Sequence, residues 1–145
     1  MKTLCILATF FALLCAPASR SCCADSAAKR VAASDSSSFE SPLACDREAL
    51  TPEQRKKHFE VLGPALRNLR KNVRELPDGY EFEFPSDAAS FQMLSEWVYG
   101  ERICCPFFDI NVRMERENGP IYLRLTGRDG VKQFIQVEGS SWLKQ

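Results

Sequence analysis

The sequence predicts an α+β fold of two layers, in which a three-stranded mixed sheet carries helices on one face only. Three observations carry this prediction. Apolar residues recur at spacings of three and four in some segments and alternate strictly with polar residues in others, and these segments follow one another in the order α-β-α-β-β-α. A chain of 145 residues is long enough for one ordinary domain.

The first helix is predicted to begin after Thr51. A threonine N-cap, a proline at the first helical position and an acid in the first turn are typical of a helix start. The Gly63-Pro64 pair predicts a kink, because proline removes a backbone donor and clashes with the preceding turn. One apolar stripe follows the helical spacing: Phe59, Leu62, Leu66, Leu69 and Val73.

The first strand, Tyr80 to Phe84, alternates aromatic and acidic residues, which predicts one buried and one solvated face. A second helix covers about 86–102. Two further alternating runs, 108–115 and 121–126, are joined at Asn118-Gly119, and Asn-Gly between alternating runs is a strong hairpin signal. A short final helix begins near Val131, with its apolar residues facing inward.

The N-terminus predicts an export signal. Lys2 precedes an uncharged apolar run over 4–14, and Ala16-Pro17-Ala18 offers a signal peptidase site. The predicted organisation is a signal peptide over 1–18, with cleavage as late as residue 24 as the alternative, and a Ser/Ala-rich tether over 19–42. A single domain over 43–138 and a loose tail over 139–145 follow. The protein is expected in the periplasm or outside the cell, without a stable membrane span after cleavage.

Charge and composition narrow the function classes. The chain has 19 basic and 19 acidic residues and no basic face, so no nucleic-acid partner is expected. There is no Cys-x-x-Cys motif of the thioredoxin type. No catalytic residues are predicted, and a protein without enzymatic activity is favoured. His58, the only histidine, lies one residue off the apolar stripe and is expected to be solvated, with an auxiliary ligand role as the alternative.

The cysteines are the main functional signal. Of seven cysteines, Cys45, Cys104 and Cys105 lie in the predicted domain, and either cleavage site leaves an odd number in an oxidising compartment. Four interpretations stay open: a disulfide from Cys45 to Cys104 or Cys105, a three-thiolate site for a soft metal or metalloid, a thiol-disulfide redox centre, and buried reduced cysteines. Soft thiolate ligands favour Hg(II), Cu(I), Zn(II) or As(III).

Cys104 and Cys105 are adjacent, and we call this pair the doublet. Adjacent side chains on a strand point to opposite faces, so the doublet can act as one site only if it lies at a bend. Pro106 favours an extended Cys105, and the junction between the second helix and the second strand offers the bend.

Four stretches of the chain resemble a group of small, mostly uncharacterised bacterial proteins: "LACDREALTPEQR", "LPDGYEFEFP", "ERICCPFFDI" and "GPIYLRLTGRDGVKQF". Similar segments also occur attached to regulators of the mercury-responsive type. The resemblance implies that Cys45, Cys104 and Cys105 act as a set, and it favours soft-metal binding. No established activity comes with the group. The predicted export signal and tether are features that a cytosolic sensor would not carry.

Overall fold

The computed structural model describes residues 40–144, so the predicted signal peptide and most of the predicted tether lie outside the described residues. The helical elements are α1 (Pro52–Lys56), a π-helical segment (Lys57–Leu62), α2 (Gly63–Leu69), α3 (Ala88–Cys104) and α4 (Val131–Val137). Short 3-10 turns occupy Arg47–Ala49 and Ser140–Trp142. The strands are β1 (Asn72–Glu75), β2 (Tyr80–Phe84), β3 (Asp109–Met114) and β4 (Ile121–Thr126).

The sheet has four strands in the order β1-β2-β4-β3, and all neighbouring strands are antiparallel. The prediction of a three-stranded mixed sheet in the order α-β-α-β-β-α is therefore wrong, although the fold is α+β. The sheet is not mixed because β4 lies between β2 and β3. The connection through α3 thus joins two strands that are not neighbours.

The fourth strand, β1, was hidden by helical spacing. Val73 follows Leu69 by four residues and fits the apolar stripe of the first helix, but α2 ends at Leu69. Val73 instead pairs with Phe82 of β2, in a hairpin closed by the hydrogen bond from Leu76 N–H to the Gly79 carbonyl. A four-residue, mostly exposed edge strand shows no alternation that a sequence pattern could reveal.

The core lies between one face of the sheet and the helices. Leu66 of α2 and Leu94 of α3 are fully buried against it. The inward side chains of β2 and β4 are also buried: Tyr80, Phe82, Phe84, Ile121, Leu123 and Leu125. The alternation in β2 and β4 therefore gave the correct buried face.

The opposite face is polar but not uniformly solvated. Glu81 is only 4% exposed, because Arg74 of β1 and Arg124 of β4 both bind its carboxylate. The expectation of a simple solvated face is thus wrong at this residue. Burial of Glu81 raises its pKa, but the hydrogen bonds from Arg124 and Arg74 more than offset this, and the net shift of the pKa is downward.

The helix from Pro52 to Leu69 is continuous but changes its winding. Thr51 and Gln54 form a capping box at its start. Over Lys57–Leu62 the helix is π-wound, and Gly63 donates its N–H to the carbonyl of His58, five residues earlier. Pro64 follows directly, so the predicted disturbance at Gly63-Pro64 coincides with a wider turn of helix.

The C-terminal residues add to the core. A loose tail is predicted from residue 139, whereas Ser140–Trp142 forms a 3-10 turn. Trp142 packs against Trp97 and Phe82, with ring centroids 4.8 and 5.7 Å apart. Leu143 also packs against the core, so the packed part of the protein extends to this residue. Among residues 40–144, no helix combines the length and the hydropathy that crossing a bilayer requires.

Candidate thiol site

The doublet lies where α3 ends. Cys104 is the last residue of α3 and Cys105 is its C-cap, with φ −129° and ψ 63°, which is neither helical nor extended. Because of this bend the two neighbouring sulfurs turn toward the same region and lie 3.6 Å apart. The sequence predicted a bend at this junction, and both side chains are fully buried there.

The third cysteine reaches the same place from the N-terminal arm. The structure joins Cys45 and Cys105 by a disulfide, with their Cα atoms 4.7 Å apart and a sequence separation of 60. Next to it, Asp46 N–H donates to the carbonyl oxygen of Cys104 across 2.7 Å. Cys104 is the free cysteine within the described residues. All three predicted site cysteines are thus brought together.

Glu101 completes the cluster, although the sequence analysis did not single it out. Ligand atoms of Cys45, Glu101, Cys104 and Cys105 all lie within 4.8 Å of one another. Glu101 Oε2 is 3.9 Å from the Cys104 sulfur. The signal that could have found Glu101 is its spacing, because residues three apart on a helix share a face.

His58 holds Glu101 from the other side. Its Nε2 lies 3.2 Å from Glu101 Oε1, and its ring stacks on Trp97 at a centroid distance of 5.4 Å. His58 is 3% exposed, so the expectation of a solvated residue on the helix flank is wrong. It does not join the sulfur cluster directly but positions the carboxylate beside it.

The other nitrogen of the His58 ring faces Gly100. Nδ1 is buried and has no hydrogen-bond partner among the described residues. A Cβ added at Gly100 would lie 2.4 Å from this atom. The ring can lie against α3 only because residue 100 has no side chain.

The electrostatics of the cluster disfavour a free thiolate. Burial, and next the negative charge of Glu101, raise the pKa of the Cys104 thiol from 9.0 to about 12. At neutral pH only on the order of one thiol in 10⁵ is then ionised. Arg47 lowers the pKa of this thiol, but its effect is smaller than those of burial and of Glu101.

A cavity of ≈ 190 Å³ adjoins the cluster. Cys45 and Glu101 line it together with His58, and the exposed Glu138 and Ser141 lie at its mouth. Six of its sixteen lining residues are Phe or Trp: Phe59, Phe82, Trp97, Phe108, Phe134 and Trp142. Of the three cysteines, Cys45 is the one that lines this cavity, which we call the aromatic cavity, whereas Cys104 and Cys105 are fully buried behind it.

Comparisons of the chain with protein-family models, with curated proteins and with solved structures find no match. The chemistry of the cluster is therefore interpreted from its own geometry.

Proposed function

We propose that the reduced protein binds a thiophilic metal or metalloid ion through Cys45, Cys104 and Cys105. The observation that carries the proposal is the convergence of three sulfurs and the Glu101 carboxylate within 4.8 Å. Thiolates bound tetrahedrally at about 2.3 Å from an ion are about 3.8 Å apart. The distance of 3.6 Å between the Cys104 and Cys105 sulfurs is close to this value.

Binding requires the Cys45–Cys105 disulfide to be open. Reduction by two electrons from an external thiol or phosphine turns two blocked sulfurs into two donors, and the third is already a thiol. A cation then displaces the proton of Cys104, whose release burial and Glu101 otherwise oppose. Glu101 is available as an oxygen ligand or as a charge that balances the ion.

The test is a titration of protein purified after export, with Hg(II), Cu(I), Zn(II) or As(III). Cys22 and Cys23 are replaced by Ser in every sample, so that the thiols counted are the three proposed ligands. The reduced protein should show metal-dependent thiolate absorption and a higher melting temperature, at one ion per chain. Absence of both signals with all four ions would refute the proposal.

Two matched controls locate the site. The oxidised protein should bind at least tenfold more weakly than the reduced protein, because two of its sulfurs are in the disulfide. Cys45→Ser should remove one thiolate and weaken binding by a comparable factor. Glu83→Gln, on the opposite side of the sheet, should leave binding unchanged.

A second candidate is a disulfide-stapled module without ligand. The Cys45–Cys105 bond favours it, since it ties the N-terminal arm to the end of α3. The same titration separates the two, because a stapled module should show no ion-dependent absorption after reduction. A thiol-disulfide exchange role has less support, because the raised pKa of Cys104 leaves little thiolate at neutral pH.

A further inference from the structure

The aromatic cavity beside the cluster has no role in holding a bare ion. Its walls share Cys45 and Glu101 with the sulfur cluster, and six of its other fourteen lining residues are Phe or Trp. At ≈ 190 Å³ it exceeds the roughly 150 Å³ of an apolar cavity that admits benzene. It can therefore accommodate a group of about phenyl size directly next to the thiols.

We infer that the site takes organic derivatives of trivalent arsenic, with arsenic on two thiols and its carbon substituent in the aromatic cavity. This inference rests on the proposed function, because it requires the same cysteines to act as ligands. It adds a substrate class, since a bare ion has no group that would fill a cavity of this kind.

The bonding step is a ligand exchange at constant oxidation state. In a hydrated arylarsenic(III) compound the arsenic carries one carbon and two hydroxyl groups. Two protein thiols each transfer their proton to one hydroxyl, two As–O bonds break, two As–S bonds form and two waters leave. Arsenic stays trivalent and keeps its carbon substituent. The disulfide is opened beforehand by a phosphine reductant.

The choice of the two thiols follows from position. Cys45 lines the cavity, and its disulfide partner Cys105 is the sulfur joined to it. Arsenic held by these two has its third bond available toward the aromatic wall. Inorganic arsenite, which has no carbon substituent, would instead take Cys104 as the third thiolate.

The test compares phenylarsine oxide with arsenite on reduced protein in the Cys22→Ser and Cys23→Ser background. Ile135→Phe places a larger side chain in the cavity wall, at a residue that lines the cavity but is not in the sulfur cluster. We expect this variant to bind phenylarsine oxide about tenfold more weakly or worse, while its affinity for arsenite stays the same. Leu125→Phe, which enlarges the wall from β4, is the second variant should the first fail to fold.

The outcomes separate the inference from the proposed function. If both variants change the two affinities by the same factor, the cavity does not hold the substituent, and the thiol site stands. If wild-type protein binds arsenite but not phenylarsine oxide, the inference is likewise overturned. If it binds neither compound nor any of the other ions, the proposed function fails as well.

Fluorescence of the two tryptophans provides a readout independent of affinity. Trp97 and Trp142 both line the cavity. Phenylarsine oxide should change their emission more than arsenite does at equal saturation. Identical spectra for the two complexes would contradict occupation of the cavity.

Discussion

Asp46 donates its backbone N–H to the carbonyl oxygen of Cys104 across 2.7 Å, one residue away from the Cys45–Cys105 disulfide at both ends. The N-terminal arm is thus attached to the end of α3 by a covalent bond and by a hydrogen bond next to it. The hydrogen bond joins two backbone groups and does not involve the sulfurs. It offers a way to keep Cys45 near the doublet when the disulfide is open, which a three-thiolate site needs.

Reduction of the metal-free protein should lower its free energy of unfolding by up to about 4 kcal/mol. Opening a loop of 60 residues releases this much conformational entropy in the unfolded chain. Urea unfolding with and without a phosphine measures the difference. Cys45→Ser/Cys105→Ala serves as the control, and its stability should be the same under both conditions. If the reductant left the free energy of unfolding of the wild-type protein unchanged, the assignment of the disulfide would be contradicted.

Gly100→Ala should destabilise the protein by about 1–3 kcal/mol. Alanine is ordinarily the better helix former by about 1 kcal/mol, but here its Cβ would lie 2.4 Å from His58 Nδ1. Thermal unfolding followed by circular dichroism gives the sign of the effect. Ser95→Ala, on the exposed side of α3, is the matched control and should be nearly neutral. A stabilised Gly100→Ala variant would show that His58 does not pack against this glycine.

The stability of the metal-free protein with its disulfide intact should fall between about pH 9 and pH 12. The pKa of Cys104 is 9.0 when unperturbed and about 12 in the folded protein. The folded state therefore keeps a proton that the unfolded state loses, so this contribution is complete below pH 9 and declines as the pH rises. Urea unfolding across this range, compared with Cys104→Ala, isolates the effect. Parallel pH profiles for the two proteins would contradict a contribution of Cys104 to the pH dependence of stability.

Glu81→Gln should cost about 1–2 kcal/mol at neutral pH, because two arginines lose a charged acceptor on a buried side chain. The pKa of Glu81 is lowered in the folded state, so its contribution is present above the unfolded pKa and is lost as the pH falls through the folded one. The variant should therefore differ from wild type at pH 7 and converge with it in acid. Glu83→Gln, two residues along the same strand, is the control.

The sequence predicted the parts of the fold that have a strong period. The alternation in β2 and β4 gave the correct buried face, because each of these strands has one side against the core. The edge strand β1 could not be predicted, since it is short, mostly exposed and continues the spacing of the preceding helix at Val73. The order of the strands depends on the insertion of β4 between β2 and β3, and no local sequence pattern predicts this position.

The candidate site was predicted in part for a similar reason. The cysteines were found because the predicted export and an odd thiol count single them out, and the bend at the doublet was predicted from Pro106 and the end of a helix. Glu101 was missed, and His58 was named only as an alternative auxiliary ligand and expected to be solvated, because the burial of both depends on a contact between two helices. A glutamate and a histidine 43 residues apart carry no mutual signal in a single sequence.

The π-wound segment Lys57–Leu62 limits how this chain can change in length. A turn closed by a hydrogen bond to the fifth preceding residue holds one residue more than an α turn. Deleting one residue there would let the helix close as a regular α-helix, with α2 unchanged. Everything before the deletion would turn by about 100° around the helix axis, and His58 would leave both Trp97 and Glu101. A single lost codon in this segment would therefore separate the histidine from the carboxylate that it holds beside the sulfur cluster, and would also displace Leu50 from the core.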